Sequence, residues 1–83
     1  MKTELEIRNF LKECLSRHLK MEADRIEDDL SLDTHYGLES LDSLSIGASL
    51  EDWLGIELNV EVFLKYKTVA ELARHVARLS ETP

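Results

Sequence analysis

The stretch GLESLDSLSIGASLEDWLG, residues 37–55, decides the fold because it joins a turn, a helix start, a helical run and a stop. Its glycine at position 37 lets the chain turn sharply, and Ser40 is a residue type that often caps helices. One apolar stripe contains Leu41, Leu44, Ala48 and Leu54, and Ile46, Leu50 and Trp53 flank it. Gly55 is a plausible stop signal. The pattern predicts a helix over about 41–54.

Helical patterns also stand on both sides of this stretch. TELE at residues 3–6 matches a capping box, and the apolar spacing that follows predicts a helix over about 4–19. TVAE at residues 68–71 is a second capping box, which opens a helix to about Leu79. Between the central stretch and this last helix, residues 59–66 are expected to form a short helix or a strand, with Val60, Val62 and Phe63 facing inward.

The segment between the first two helices, residues 20–39, has no helical period and is rich in turn-forming residues. Isolated apolar side chains remain in it, at Ile26, Leu30, Leu32, Tyr36 and Leu38. These side chains predict a loop that is pinned to the core. The sequence therefore predicts an all-α fold, a small four-helix bundle with three longer helices, one short helix and a long ordered loop. We expect a single domain over 1–83, with its core at about 4–79.

Charge excludes several classes of partner. Of 83 residues, 17 are acidic and 10 are basic, and the net charge is −7. The window from Ile26 to Leu64 has no Lys or Arg and holds ten acids, which disfavours nucleic acid and anionic membrane surfaces. No apolar run approaches a membrane span, and the charged N-terminus is not a signal peptide. Together with the lone Cys14, these features favour the cytoplasm.

No residues form a recognisable catalytic or metal-binding pattern. The three histidines His18, His35 and His75 share no motif spacing, and Cys14 lies on the apolar stripe of the first helix. The acidic run at residues 24–33 lacks the central glycine of a calcium loop. Ser40 at a helix start has two interpretations, a simple N-cap or a hydroxyl placed where backbone N–H groups favour an anion.

At this point the sequence resembles the acyl carrier proteins, whose phosphopantetheine-binding motif is Gly-x-Asp-Ser-Leu. Ser43 lies in a literal Asp-Ser-Leu tripeptide, whereas Ser40 keeps the glycine three residues back but follows Glu39. Counting from Ser40 brings the later family positions into register without a gap, and counting from Ser43 does not. The positions in register are Leu50, Glu51, Asp52, Gly55, Ile56, Leu58, Phe63, Thr68, Val69 and Leu72.

The resemblance implies that Ser40 carries a 4'-phosphopantetheine arm taken from coenzyme A, with Gly37, Glu39 and Leu41 around the attachment site. The arm would hold acyl intermediates as thioesters, and the chain would be a carrier without catalytic groups. The implied partners are a phosphopantetheinyl transferase and an acyl or adenylate-forming ligase, ketosynthase or acyltransferase with basic docking surfaces. The residues expected to face them are Asp42, Ala48, Glu51 and Asp52. A solvated helix face is the other interpretation of these acids.

Departures from the family refine the expectation. Glu39 replaces the usual Asp, Ser45 stands where many fatty-acid carriers have an acid, and Asn59 replaces a frequent proline. The C-terminal pattern is closer to polyketide and peptide-synthetase carriers. We therefore expect a discrete, monomeric acyl carrier protein of a specialised polyketide, peptide or lipid pathway. The alternative is a carrier-like helical module that binds proteins and is never modified.

Overall fold

A computed structural model describes residues 2–59 and 61–81 of the chain. These residues form four α-helices: α1 at Glu4–Leu19, α2 at Ser40–Leu54, α3 at Glu61–Lys65 and α4 at Val69–Glu81. A single 3₁₀ turn at Ala23–Arg25 interrupts the loop between α1 and α2. The predicted four-helix bundle is confirmed. The segment at 59–66, for which both helix and strand were open, contains the short helix α3. Val60, which was predicted to face inward, lies outside the described residues.

Both predicted capping boxes lie at helix starts. The Glu6 N–H donates to Thr3 Oγ1 at 3.1 Å, and the Thr3 N–H donates to Glu6 Oε1 at 3.0 Å. At α4 the Glu71 N–H donates to Thr68 Oγ1 at 3.1 Å, but the Glu71 carboxylate takes its hydrogen bond from the Thr68 hydroxyl. The first box is complete, whereas the second satisfies one backbone donor.

The core lies where α1 packs against α4 and α2, and the loop adds side chains to it. Its buried members are Ile7, Leu11, Cys14, Leu15, Ile26, Leu32, Ile46, Leu50, Val62, Val69, Leu72, Ala73 and Val76. No polar or charged residue is buried in the described part of the chain. The core is therefore held together by apolar burial, the dominant favourable term in folding.

The apolar stripe predicted for α2 was assigned to the wrong face. Ile46 and Leu50, which were placed on the flank, are fully buried, whereas Leu41 is 76% exposed and Leu44 is 49% exposed. The helix is apolar on more than one side, so its spacing allows two stripes. Packing against α1 selects the stripe that contains Ile46 and Leu50. Leu41 and Leu44 are consequently left on the surface next to Ser40.

The long loop is pinned to the bundle, as predicted, through side chains and backbone. Ile26 and Leu32 are buried, and Tyr36 and Leu38 pack against the core, whereas Leu30, the fifth predicted side chain, is not part of this cluster. Backbone hydrogen bonds tie the loop to the segment before α4, from the Leu32 N–H to the Lys67 carbonyl and from the Ala70 N–H to the Asp28 carbonyl. The Asp28 carboxylate also forms ion pairs with Arg8 and Lys12 of α1. These contacts fix the end of the loop from which α2 begins.

An aromatic stack joins the two longest helices at the far end of α2. The rings of Phe10 and Trp53 lie 4.2 Å apart and are inclined by only 5°. The ammonium of Lys2 lies 4.8 Å from the centre of the Trp53 ring, within range of a cation–π interaction. No helix in residues 2–59 or 61–81 is long and apolar enough to cross a membrane.

Candidate functional site

Ser40 is exposed at the first residue of α2 and does not cap the helix. The N-cap is Glu39, with extended backbone, and its carbonyl accepts the first helical hydrogen bond from the Ser43 N–H at 3.0 Å. The suggestion that Ser40 is the cap is therefore wrong by one residue. Within the described residues no hydrogen bond engages the Ser40 hydroxyl, so this group is left available for chemistry.

The backbone before Ser40 turns through Gly37, which has a φ of 72°. Only glycine adopts this left-handed conformation without steric cost. The Gly37 N–H donates to the Asp33 carbonyl at 3.1 Å, and the Leu38 N–H donates to the Leu32 carbonyl at 2.8 Å. The turn therefore delivers the chain from the pinned loop to the start of α2 in a defined direction.

Asp42, one of the residues expected to face partners, forms two contacts within the chain. Its Oδ2 accepts a hydrogen bond from the Glu39 N–H at 3.2 Å, and its Oδ1 lies 2.9 Å from Nδ1 of His18 at the end of α1. Both side chains are about one-third exposed. Asp42 therefore closes the start of α2 and ties it to α1.

A cleft of about 300 Å³ opens beside Ser40, between the start of α2 and the short helix α3. Its lining is Asp33, Leu38, Ser40, Ser43, Leu44, Phe63, Leu64 and Lys67. The apolar side chains come from α2, α3 and the end of the loop, and Lys67 and Asp33 supply the charges. Ser43, the competing serine, faces into this cleft and is only partly exposed.

Gly47 allows α3 to approach α2 closely behind this cleft. A Cβ atom at this position would lie 3.3 Å from Cε2 of Phe63, which is tighter than an ordinary contact. The phenyl ring therefore rests on a part of the helix that has no side chain. A larger residue at position 47 would displace the ring that forms one side of the cleft.

Asp33 and Lys67 form the charged rim of the cleft. The Lys67 ammonium donates to Asp33 Oδ2 at 3.0 Å, and the Ser31 hydroxyl donates to Asp33 Oδ1 at 2.6 Å. The hydrogen bond from Ser31, with those from Lys67 and the Thr34 N–H, lowers the pKa of Asp33 from 3.8 to about 2. Asp33 therefore stays ionised throughout the neutral range.

Three of the four residues predicted to face partners lie together, away from Ser40. Ala48, Glu51 and Asp52 line a shallow groove with Ile56 and Glu57 on the C-terminal half of α2. Glu51 also has a structural role, because its Oε2 accepts a hydrogen bond from the Leu58 N–H at 2.7 Å. Asp52 is exposed, as a residue that meets partners must be.

The remaining candidates show no site. Cys14 is buried in the core, and His75 stacks on Tyr66 with ring centres 4.4 Å apart. No group of three or more His, Cys, Asp or Glu side chains that could hold a metal ion occurs in the described stretches of the chain. The exposed hydroxyl of Ser40 therefore remains the candidate for the functional site.

Residues 9–76 match the family described as "Phosphopantetheine attachment site". The chain belongs to this family. The carrier domain is 35% identical over 68 residues to a non-reducing polyketide synthase of Cercospora nicotianae; the match covers 82% of the chain but 3% of the synthase.

Solved structures agree with this assignment. A free-standing peptidyl carrier protein from Acinetobacter baumannii superposes with a TM-score of 0.86 at 26% identity, and the match covers 100% of both chains. An acyl carrier protein from Anabaena, described as having a variant phosphopantetheinylation-site sequence, superposes with a TM-score of 0.85 at 31% identity. That match covers 94% of this chain and 88% of the other.

The residues of the carrier domain fit a phosphopantetheine arm. The first turn of α2 has backbone N–H groups without helical partners, and these groups and the helix dipole favour a phosphate near residue 40. The cleft beside Ser40 offers apolar walls next to that position. When bound, the arm supplies the thiol on which acyl groups are carried.

Sequence reasoning missed His18, Lys67 and Asp33. His18 shares no motif spacing with the other histidines, and neither Lys67 nor Asp33 belongs to the motif around Ser40. His18 contacts Asp42 from α1, and Asp33 and Lys67 line the cleft beside Ser40. These residues are distant from the motif in sequence, so no local pattern indicates them. Leu41, which the resemblance placed beside the attachment site, is exposed there.

Proposed function

We propose that Ser40 is the residue that carries the phosphopantetheine arm. The supporting observation is the exposed, unengaged hydroxyl at the first residue of α2, beside the cleft. Ser43 is a poorer candidate, because it lies one turn into the helix and is partly covered. The motif register that starts at Ser40 supports the same choice.

The modification is a phosphoryl transfer from coenzyme A. The Ser40 Oγ–P bond forms while the pyrophosphate P–O bond breaks, the hydroxyl proton passes to a base, and adenosine bisphosphate leaves. The transferase supplies the metal and the base that such a reaction requires. Gly37 sets the approach of the chain, Glu39 places a carboxylate next to the serine, and Leu41 offers an apolar contact beside it.

We further propose that the domain acts as a discrete carrier in a specialised polyketide, peptide or lipid pathway, in which partner enzymes perform the reactions. The similarity to polyketide synthases and to a free-standing peptidyl carrier protein supports this choice. Loading enzymes of the ligase, ketosynthase or acyltransferase type would approach Ser40 with basic surfaces. The free thiol of Cys14 is consistent with the cytoplasm, and we expect the carrier to act there as a monomer.

Intact mass spectrometry tests the assignment of the serine. The chain is incubated with coenzyme A and a broad-specificity phosphopantetheinyl transferase, and one phosphopantetheine group should be added. Ser40→Ala should abolish the gain in mass, and Ser43→Ala, the matched control, should retain it. The reverse pattern would move the site to Ser43. No gain with any transferase would favour the unmodified protein-binding module.

A further inference from the structure

His18 and Asp42 connect the last turn of α1 to the first turn of α2. Nδ1 of His18 lies 2.9 Å from Oδ1 of Asp42, with both side chains about one-third exposed. In residues 2–59 and 61–81 this is the one side-chain hydrogen bond between the two helices. The contact spans a gap that the sequence bridges only through the long loop.

The helix dipole at the start of α2 favours the carboxylate of this contact. The end of α1 favours positive charge, and the first turn of α2 favours negative charge. His18 and Asp42 stand at these two positions. The start of α2 therefore stabilises the Asp42 carboxylate, and the hydrogen bond between Asp42 and His18 is well suited to fix the spacing between the two helix ends.

The second oxygen of Asp42 extends the connection to the modification site. Oδ2 accepts a hydrogen bond from the Glu39 N–H at 3.2 Å, and Glu39 is the N-cap residue directly before Ser40. A single carboxylate thus joins His18 to the backbone that carries the reactive hydroxyl. Loss of the His18 contact would leave this carboxylate with its hydrogen bond inside the first turn of α2 but without its link to α1.

We propose that His18 is a positioning residue for the modification of Ser40 and that it acts through Asp42. This proposal rests on the proposed attachment of the arm to Ser40. In-line transfer requires the Ser40 Oγ to be held close to the attacked phosphorus, and small errors of position slow such reactions strongly. His18 does not touch the reacting atoms. It reduces the freedom of the N-cap from which Ser40 projects.

Steady-state kinetics of the transferase, with the carrier as the varied substrate, tests this role. His18→Ala should lower kcat about fivefold and leave KM within about twofold, because the helix start loosens while the docking surface is unchanged. His18→Asn should recover most of the rate, since its amide N–H can take the place of the Nδ1 donor. Arg17→Ala is the matched control, because it removes a charge from the same turn of α1 and should change neither constant.

A double-mutant cycle tests the route through Asp42. If His18 acts through this carboxylate, Asp42→Ala combined with His18→Ala should be no slower than Asp42→Ala alone. Independent losses that multiply would overturn the route. Amide hydrogen exchange gives a measurement that does not depend on turnover: exchange at Glu39 should be faster in His18→Ala and unchanged in Arg17→Ala.

The outcomes separate this proposal from the assignment of Ser40. Failure of the wild-type chain to gain an arm would overturn the proposed function itself. A modified wild type with an unchanged kcat in His18→Ala, or a His18→Asn variant as slow as His18→Ala, would overturn only the positioning role. All variants are assayed well below their unfolding midpoints, measured by circular dichroism, so that unfolding does not contribute to the rates.

Discussion

The ammonium of Lys67 lies 3.0 Å from Oδ2 of Asp33, and this contact joins the loop before α2 to the segment between α3 and α4. Because both residues line the cleft beside Ser40, the ion pair forms one rim of the candidate site. The Leu32 N–H, next to Asp33, donates to the Lys67 carbonyl at 2.8 Å. Side chain and backbone of Lys67 thus hold the same turn of the loop.

The ionisation of Asp33 can be tested by titration. Its pKa lies at about 2 instead of 3.8, chiefly because of the Ser31 hydroxyl and then Lys67. The stabilisation is therefore fully present above about pH 4 and is lost as the pH falls toward 2. NMR titration of the carboxyl carbon should give the low midpoint in the wild type, and Ser31→Ala and Lys67→Met should raise it. A wild-type midpoint near 3.8 would contradict this account.

Leu41 and Leu50 should differ sharply in their contribution to stability, although both are leucines of α2. Leu50 is fully buried and Leu41 is 76% exposed. Leu50→Ala should lower the free energy of unfolding by about 2–5 kcal/mol, whereas Leu41→Ala should change it by less than about 0.5 kcal/mol. Urea denaturation measures both values. A large loss in Leu41→Ala would restore the stripe that the sequence suggested.

Glu51 and Asp52 are adjacent acids with different expected roles. The Glu51 carboxylate accepts a partly buried hydrogen bond from the Leu58 N–H, whereas Asp52 is exposed. Truncation by Glu51→Ala should lower the free energy of unfolding by about 1 kcal/mol, and Asp52→Ala should cost less than about 0.5 kcal/mol. Equal effects in thermal unfolding would argue that the contact to Leu58 contributes nothing.

Asp52 is the better residue for a test of electrostatic steering, because its replacement leaves the Glu51 contact intact. Asp52→Lys should slow acyl loading by a basic partner enzyme more at low salt than at high salt, since ions screen exposed charges. Asp24→Lys, an equal change of charge at an exposed site in the 3₁₀ turn, is the control. Equal slowing by both variants would indicate a general charge effect without a defined docking surface.

Because Glu39 stands where the family has Asp, we expect the transfer of the arm to be slow and a substitution at this position to raise its rate. The family has Asp before the serine, and Glu places the carboxylate one methylene further out. Glu39→Asp should therefore raise the rate of arm transfer by a broad-specificity transferase, and Glu39→Gln should lower it. The rate follows from the time course of intact mass. A faster Gln variant would show that the negative charge is not used.

The fold could be predicted where local signals agreed. The capping residue Thr3 and the left-handed glycine at position 55 mark the ends of α1 and α2 in the sequence, and the helices begin and end there. The core face of α2 could not be predicted in the same way. Its apolar residues allow two stripes, and the choice between them depends on the packing of α2 against α1, which no local pattern contains.

The residues of the candidate site that are neighbours in sequence could be predicted, whereas the contacts between separate elements could not. Ser40, Gly37 and Glu39 are neighbours in the sequence, so a motif could identify them together. The contacts of Asp42 with His18 and of Asp33 with Lys67 join separate elements, and neither pair has a spacing that indicates contact. The contacts of Asp42 add a structural role to this residue that the sequence did not indicate.

Trp53, which stacks on Phe10, can serve as an intrinsic fluorescence probe. Trp53 is the sole tryptophan of the sequence, so intrinsic fluorescence arises at the junction of α1 with the C-terminal end of α2. Ser40 begins the same helix, about 20 Å away along its axis at the usual rise per residue. We therefore expect the emission to follow the integrity of the bundle and to change little when cargo is attached at the proposed site, Ser40, so that unfolding and loading can be followed separately in one sample.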